Sequence, residues 1–183
     1  MTLTRTDVRA AAFEDAARLG RVHVKAWRAA YRGILADDYL DSMSDIRHAA
    51  YWARILDDTD RAVGTFIAES EQNGIVGFAD CGPERGGPPS FGEVMALYLL
   101  PDWQHRGIGR RLVGACAVRL AAEGFIGLAI WTLQDNPARG FYEALGGTPS
   151  ETRKTYIGGE AMVEQCYRWP DIQVHLPALP NHR

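Results

Sequence analysis

Cysteine is scarce in this chain of 183 residues: Cys81, Cys116 and Cys166 are all it has. They are far apart and odd in number, which argues against a disulfide framework and for a reducing compartment. Metal-ligand patterning is equally thin. The five histidines, His23, His48, His105, His175 and His182, form no HExxH spacing and no CxxC pair accompanies them, so no metal is expected. No apolar run reaches the ~20 residues of a membrane span; GFIGLAIWTL at 124–133 comes nearest and is far too short. The opening MTLTRTDVRA lacks the apolar segment of a signal peptide, so a cytoplasmic protein without a membrane partner is expected. Basic charge is not in excess either. A formal net charge of −3 lacks the broad cationic footprint of a duplex binder, and no nucleic-acid partner is expected.

What is present is ordinary for a soluble domain: 46% hydrophobic and 23% charged residues. The length suits one domain that buries roughly 70% of its unfolded surface. With no repeat and no dividing linker, one domain over 1–170 is expected, then a proline-rich tail over 171–183, draped or disordered. Periodicity predicts a strand at 7–11 and a helix over 14–30, where Leu19, Val22, His23, Ala26, Trp27, Ala30 and Tyr31 share a face until Gly33 breaks the pattern. Short helices follow at 36–43 and 45–57, with Asp37 and Ser44 as N-caps. Asn73-Gly74 joins strands at 63–69 and 75–81 in a hairpin. FGEVMALYLL at 91–100 is too apolar to be half-exposed and reads as a central strand stopped by Pro101. A helix from 109 to 123, a buried strand at 126–133, a helix at 138–145 ending at Gly146-Gly147, and a hairpin of 153–157 with 161–169 complete the pattern. The class is α/β (α+β), with a mixed, mostly antiparallel sheet flanked by helices.

Between the central strand and its helix lies QHRGIGRRL, residues 104–112. A strand, a glycine loop and a helix start in that order make an anion site, because the first helical turn offers unpaired N–H groups and the positive end of its dipole. Two nucleotide readings fail. A P-loop needs GxxxxGK[ST], and no Lys-Ser or Lys-Thr pair follows these glycines. A dinucleotide fingerprint needs a third glycine where Leu112 stands, and an acidic residue near position 127, where Gly127 and its neighbours are neutral.

QHRGIG resembles the Q/R-x-x-G-x-G/A pyrophosphate loop of the GNAT superfamily of acyl-CoA-dependent N-acyltransferases. The order of apolar strand, Pro-Asp-Trp, loop and helix is similar too, as is WTLQDNPARGFYEALGG at 131–147, which looks like the family's strand, Asn-Pro turn and Phe-Tyr helix. AWRAAYRGIL and DYLD in the N-terminal part are similar to one bacterial branch. The resemblance covers about 7–169 and implies acetyl-CoA as co-substrate. It implies that Arg106, Gly107, Ile108, Gly109 and Arg110 give backbone amides to the pyrophosphate, with Gln104 and His105 lining the approach. Leu97, Tyr98 and Leu99 would offer strand backbone to the pantetheine arm, docked like an added strand in a splay between 91–100 and 126–133. Arg106, Arg110 and Arg111 would either add charge to that site or stand as solvated cations.

Amine acylation by a thioester needs a neutral amine, a polarised carbonyl and a protonated leaving thiolate. By the resemblance, Tyr142 matches the general acid; otherwise it packs beside Phe141. Asn136 matches a residue that contacts pantetheine or positions Tyr142, and a helix cap accounts for it equally. Glu93 stands where some members carry a carboxylate base; the alternative is a strand carboxylate facing solvent or an ion pair. Cys116, on an apolar helix face, reads as core. Trp27 reads as packing, while Tyr31 and Arg32 are expected to face the acceptor, with Arg32 favouring one that bears a carboxylate. The expected activity is direct acetyl transfer from acetyl-CoA to a primary amine of a small molecule or peptide. A protein N-terminus or lysine, a non-catalytic acyl-CoA sensor and a homodimeric assembly remain alternatives at this level.

Overall fold

The computed structural model describes residues 5–59, 61 and 63–176. Seven strands, β1 (Thr6–Ala10), β2 (Thr65–Ser70), β3 (Gly74–Pro83), β4 (Phe91–Leu99), β5 (Gly127–Leu133), β6 (Thr148–Ile157) and β7 (Glu160–Trp169), form one sheet in the order β1-β2-β3-β4-β5-β7-β6. All neighbours are antiparallel except β4 and β5. The strand expected to be central, β4, is fourth of the seven. The helices are α1 (Ala16–Tyr31), α2 (Asp37–Asp41), α3 (Asp45–Asp57), α4 (Ile108–Ala122), α5 (Arg139–Ala144) and α6 (Ile172–His175).

The alternation of β4 assigns its two faces. Val94, Leu97 and Leu99 join the core under α4, where Leu112, Val113, Cys116, Ala117 and Leu120 pack. Ala96 and Tyr98 face the other layer, built by Leu19 and Val22 of α1 and Trp52 of α3 against Ile67, Ile75 and Phe78. The apolar stripe predicted for α1 is therefore what docks it on the sheet. Gly20 lets α3 close in on it: a Cβ there would lie 2.5 Å from the backbone nitrogen of Ala49.

Several local expectations are corrected. Asp37 does not cap α2; Ala36 precedes the helix and the Asp37 carboxylate pairs with Arg32 at 2.8 Å instead. Ser44 does cap α3, accepting the Arg47 N–H at 3.4 Å. The last hairpin is longer than its apolar pattern suggested, because β6 is an exposed edge strand of mostly polar residues. Past residue 170, Ile172 and Leu176 join the main core and the Ile172 N–H donates to the Ile126 carbonyl at 2.8 Å. The rest of the expected tail, 177–183, lies outside the described residues.

Candidate active site

The parallel pair β4–β5 is joined over only four residues of each strand, Phe91–Val94 against Gly127–Ile130. Beyond them β4 runs on to Leu99 paired only with β3, and β5 runs on to Leu133 paired only with β7. A bulge accompanies the parting: Ala96 lies opposite Asp80 and Val94 opposite Cys81, so Met95 has no partner residue on β3. An extra residue of this kind bends its strand and sharpens its twist. Burial follows. Gly92, Glu93 and Val94 are buried, whereas Met95–Leu99 are only half-buried although they sit mid-sheet and are almost all apolar. The expectation that this strand is too apolar to be half-exposed thus holds for its first half alone. The second half borders an open cleft at the carboxyl ends of two parallel strands, where ligands of open α/β sheets bind.

The glycine loop closes one side of that cleft. His105 takes φ 57° and Gly107 φ 75°, both left-handed, and His105 is the only non-glycine with positive φ among the described residues. Left-handed residues alternating with ordinary ones fold successive amides into a concave nest for an anion. The first helical bond of α4 runs from the Arg111 N–H to the Gly107 carbonyl at 3.2 Å, so the amides ahead of it have no carbonyl within the helix. The cations divide. Arg106 lies over the Trp103 ring at 4.9 Å, and Arg110 is exposed on the first turn. Arg111 is committed elsewhere, donating to the Thr6 carbonyl at 2.7 Å and the Thr6 hydroxyl at 3.1 Å. Gln104 stays at the surface, its amide 3.5 Å from the Leu99 carbonyl.

Across the cleft, the Asn136 Oδ1 accepts the Ala138 N–H at 2.9 Å and holds the turn ahead of α5. That helix starts at Arg139, slightly later than expected, so Asn136 braces the turn before it and is not its N-cap. Tyr142 of α5 is buried against Phe141 and Tyr167, at ring distances of 5.4 and 5.6 Å. Burial, then the nearby phenols of Tyr31 and Tyr167, push its hydroxyl well above the usual tyrosine range, so it keeps its proton at neutral pH. Tyr31 and Tyr98 share a hydrogen bond of 3.0 Å between their hydroxyls, and burial raises both.

Two expected site residues stand differently. Arg32 is held at the surface by Asp37 and Asp41, each at 2.8 Å, and is not brought to the cleft with Tyr31. Glu93 is fully buried, but not as a free base. Its Oε2 accepts the Arg85 backbone N–H at 3.0 Å and the Arg85 Nε at 3.3 Å, and its Oε1 accepts the Arg85 Nη2. Both oxygens are occupied, which is the ion-pair arrangement named as the alternative. Two of the thiols are held protonated. Burial pushes Cys116 up strongly and Cys166 up to about 11. Cys166 lies within 4.8 Å of Glu84 and Glu151, but the Arg168 guanidinium engages both of those carboxylates.

The sequence reading did not single out a second cavity opening on the same stretch of β4, lined by Met95, Ala96 and Tyr98 with His23, Trp27 and Trp52. Its signal was present: a histidine inside the apolar stripe of α1 is a polar group that needs a buried partner. That partner is Trp52, whose indole N–H donates to the His23 Nδ1 at 3.2 Å. Burial, then the neighbouring His48, pushes His23 down to about 3, so its ring is neutral and carries its proton on Nε2.

A parallel pair that parts beside a loop of left-handed residues at the start of a helix is the frame in which an acyl-CoA-dependent acyltransferase is built. The chain belongs to the acetyltransferase (GNAT) family, whose model matches residues 24–147. The N-acetyltransferase YuaI of Bacillus subtilis (strain 168) is 34% identical over 167 residues, which are 90% of this chain and 93% of that one. Among solved structures, a GCN5-related N-acetyltransferase from Rhodopseudomonas palustris matches with a TM-score of 0.72 at 23% identity, over 93% of this chain and 98% of that one. YncA of Salmonella typhimurium, solved with its cofactor acetyl-CoA, matches with a TM-score of 0.67 at 18% identity, over 98% and 100%. No helix among the described residues is long and apolar enough to cross a membrane.

Proposed function

We propose that this protein transfers the acetyl group of acetyl-CoA directly to the primary amine of a small molecule. The observation that carries the reading is the interrupted β4–β5 ladder beside a left-handed loop whose amides have no backbone partner among the described residues. An extended arm with amide groups fits the free edge of Leu97, Tyr98 and Leu99, and a diphosphate fits the amides of Arg106 to Arg110. Acetyl-CoA supplies an acetyl group activated as a thioester. Tyr142 holds a proton on a buried phenol and gives it to the departing sulfur as the carbon–sulfur bond breaks, and the phenolate then takes a proton back from water. The acceptor nitrogen bonds to the acetyl carbon and its surplus proton leaves to solvent water. Glu93 serves to hold Arg85 beside the acceptor cavity. Asn136 and Tyr31 fix the wall that carries Tyr142.

The test is release of free coenzyme A thiol from acetyl-CoA. Release that depends on added amine and yields an acetylated product of mass +42 supports the reading. Binding of acetyl-CoA with no amine-dependent release across a broad panel would make the protein a non-catalytic acyl-CoA sensor.

A further inference from the structure

Resting on that reading, the second cavity bears on what kind of amine is acetylated. It has a volume of about 330 Å³, near the lower end for small-ligand sites. Met95 and Ala96 form the wall nearest the cleft, so an amine held there lies beside the point where β4 and β5 part. Behind that wall the lining is aromatic. Tyr98 stacks on His23 with centroids 5.7 Å apart and planes 21° off parallel, and Trp27 and Trp52 each stand 5.8 Å from the same imidazole. Tyr51 lines the mouth, 42% exposed.

Charge in this lining is already matched. Arg61 is paired with Asp80, which also accepts the Thr65 hydroxyl at 2.8 Å, and Arg85 is paired with Glu93. His23 is uncharged and its Nδ1 is filled by Trp52. A carboxylate or a second ammonium on the acceptor would be desolvated against partners that already have theirs. A flat apolar ring loses nothing by entering and gains contact with the ring walls. The restricted volume also disfavours a peptide chain.

We infer that the acceptor is a primary amine linked through a short chain to an uncharged ring, an arylalkylamine, with its ring seated between α1 and α3. Thiol release should be compared within matched pairs: phenethylamine with phenylalanine, and tryptamine with tryptophan, each pair differing by one carboxylate. An aliphatic diamine and an alanine-led peptide complete the panel. The expected result is a kcat/KM for each arylalkylamine at least tenfold above its amino acid, the diamine and the peptide. Tyr51→Ala should raise the KM for the arylalkylamine about fivefold or more and leave the KM for acetyl-CoA unchanged. Equal rates within the pairs, or preference for the amino acid, the diamine or the peptide, overturn the inference and leave the acetyltransferase reading standing. No thiol release with any amine overturns both.

Discussion

Tyr142 is a buried ring and His23 a half-buried one, and burial acts on them in opposite senses because it disfavours whichever form is charged. The Tyr142 phenol is held protonated, as an acid for a departing thiolate must be. Tyr142→Phe keeps the ring packing against Phe141 and Tyr167 and removes only the proton. Its kcat should fall on the order of 10²-fold with acetyl-CoA binding unchanged, measured by steady-state thiol release. An unchanged kcat would move the acid elsewhere. His23 is held deprotonated, near 3 against an ordinary 6.5. Between those values the unfolded chain binds the extra proton, so the contribution to stability is complete above about pH 6.5 and lost as pH falls toward 3. Glu151 is held down at about 2 by Arg168, so it adds its own loss only below its ordinary 4.5. Urea unfolding between pH 6.5 and 4.5 should therefore show stability falling with a slope approaching one proton per molecule, and His23→Gln should flatten it. The same slope in both proteins would contradict the assignment of that window to His23.

At the scale of elements, two irregularities shape the candidate site: the bulge at Met95 and the left-handed step at Gly107. Gly107 opens α4 with room around it, so its requirement is for backbone angle and not for space. An L-residue in that conformation costs about 1–2 kcal/mol, and β-branched ones fare worst. Gly107→Val should raise the dissociation constant for acetyl-CoA at least tenfold by equilibrium dialysis, with only a modest drop in melting temperature. Undiminished binding would remove the loop from the cofactor site. These two features differ in how readable they were. The glycine loop announces itself locally, through residues that punctuate a strand–helix junction. The bulge does not, because FGEVMALYLL is uniformly apolar and its extra residue exists only relative to β3. For the same reason Arg32 looked like an acceptor contact beside a helix break. Its partners Asp37 and Asp41 lie on the next helix, and the angle between helices decides the pairing. Arg85 was likewise invisible, sitting in a glycine-proline loop that folds back onto Glu93.

For the whole molecule, the order and type of elements from β1 to β7 were legible, because α1 and α4 carry apolar faces and each inner strand a buried run. Helix α6 was not, four residues in a proline-rich stretch being too few to show a period. The second cavity was not legible, since it draws side chains from α1, α3, β3 and β4. Two cores meet on opposite faces of β4, one under α4 and one under α1 and α3, and the proposed reading puts cofactor and acceptor where β4 and β5 part. Calorimetric titration of the intact protein with acetyl-CoA tests that arrangement most directly. One molecule bound per chain, with heat that disappears when coenzyme A already fills the site, is the predicted result. A folded protein that takes up neither compound would contradict it.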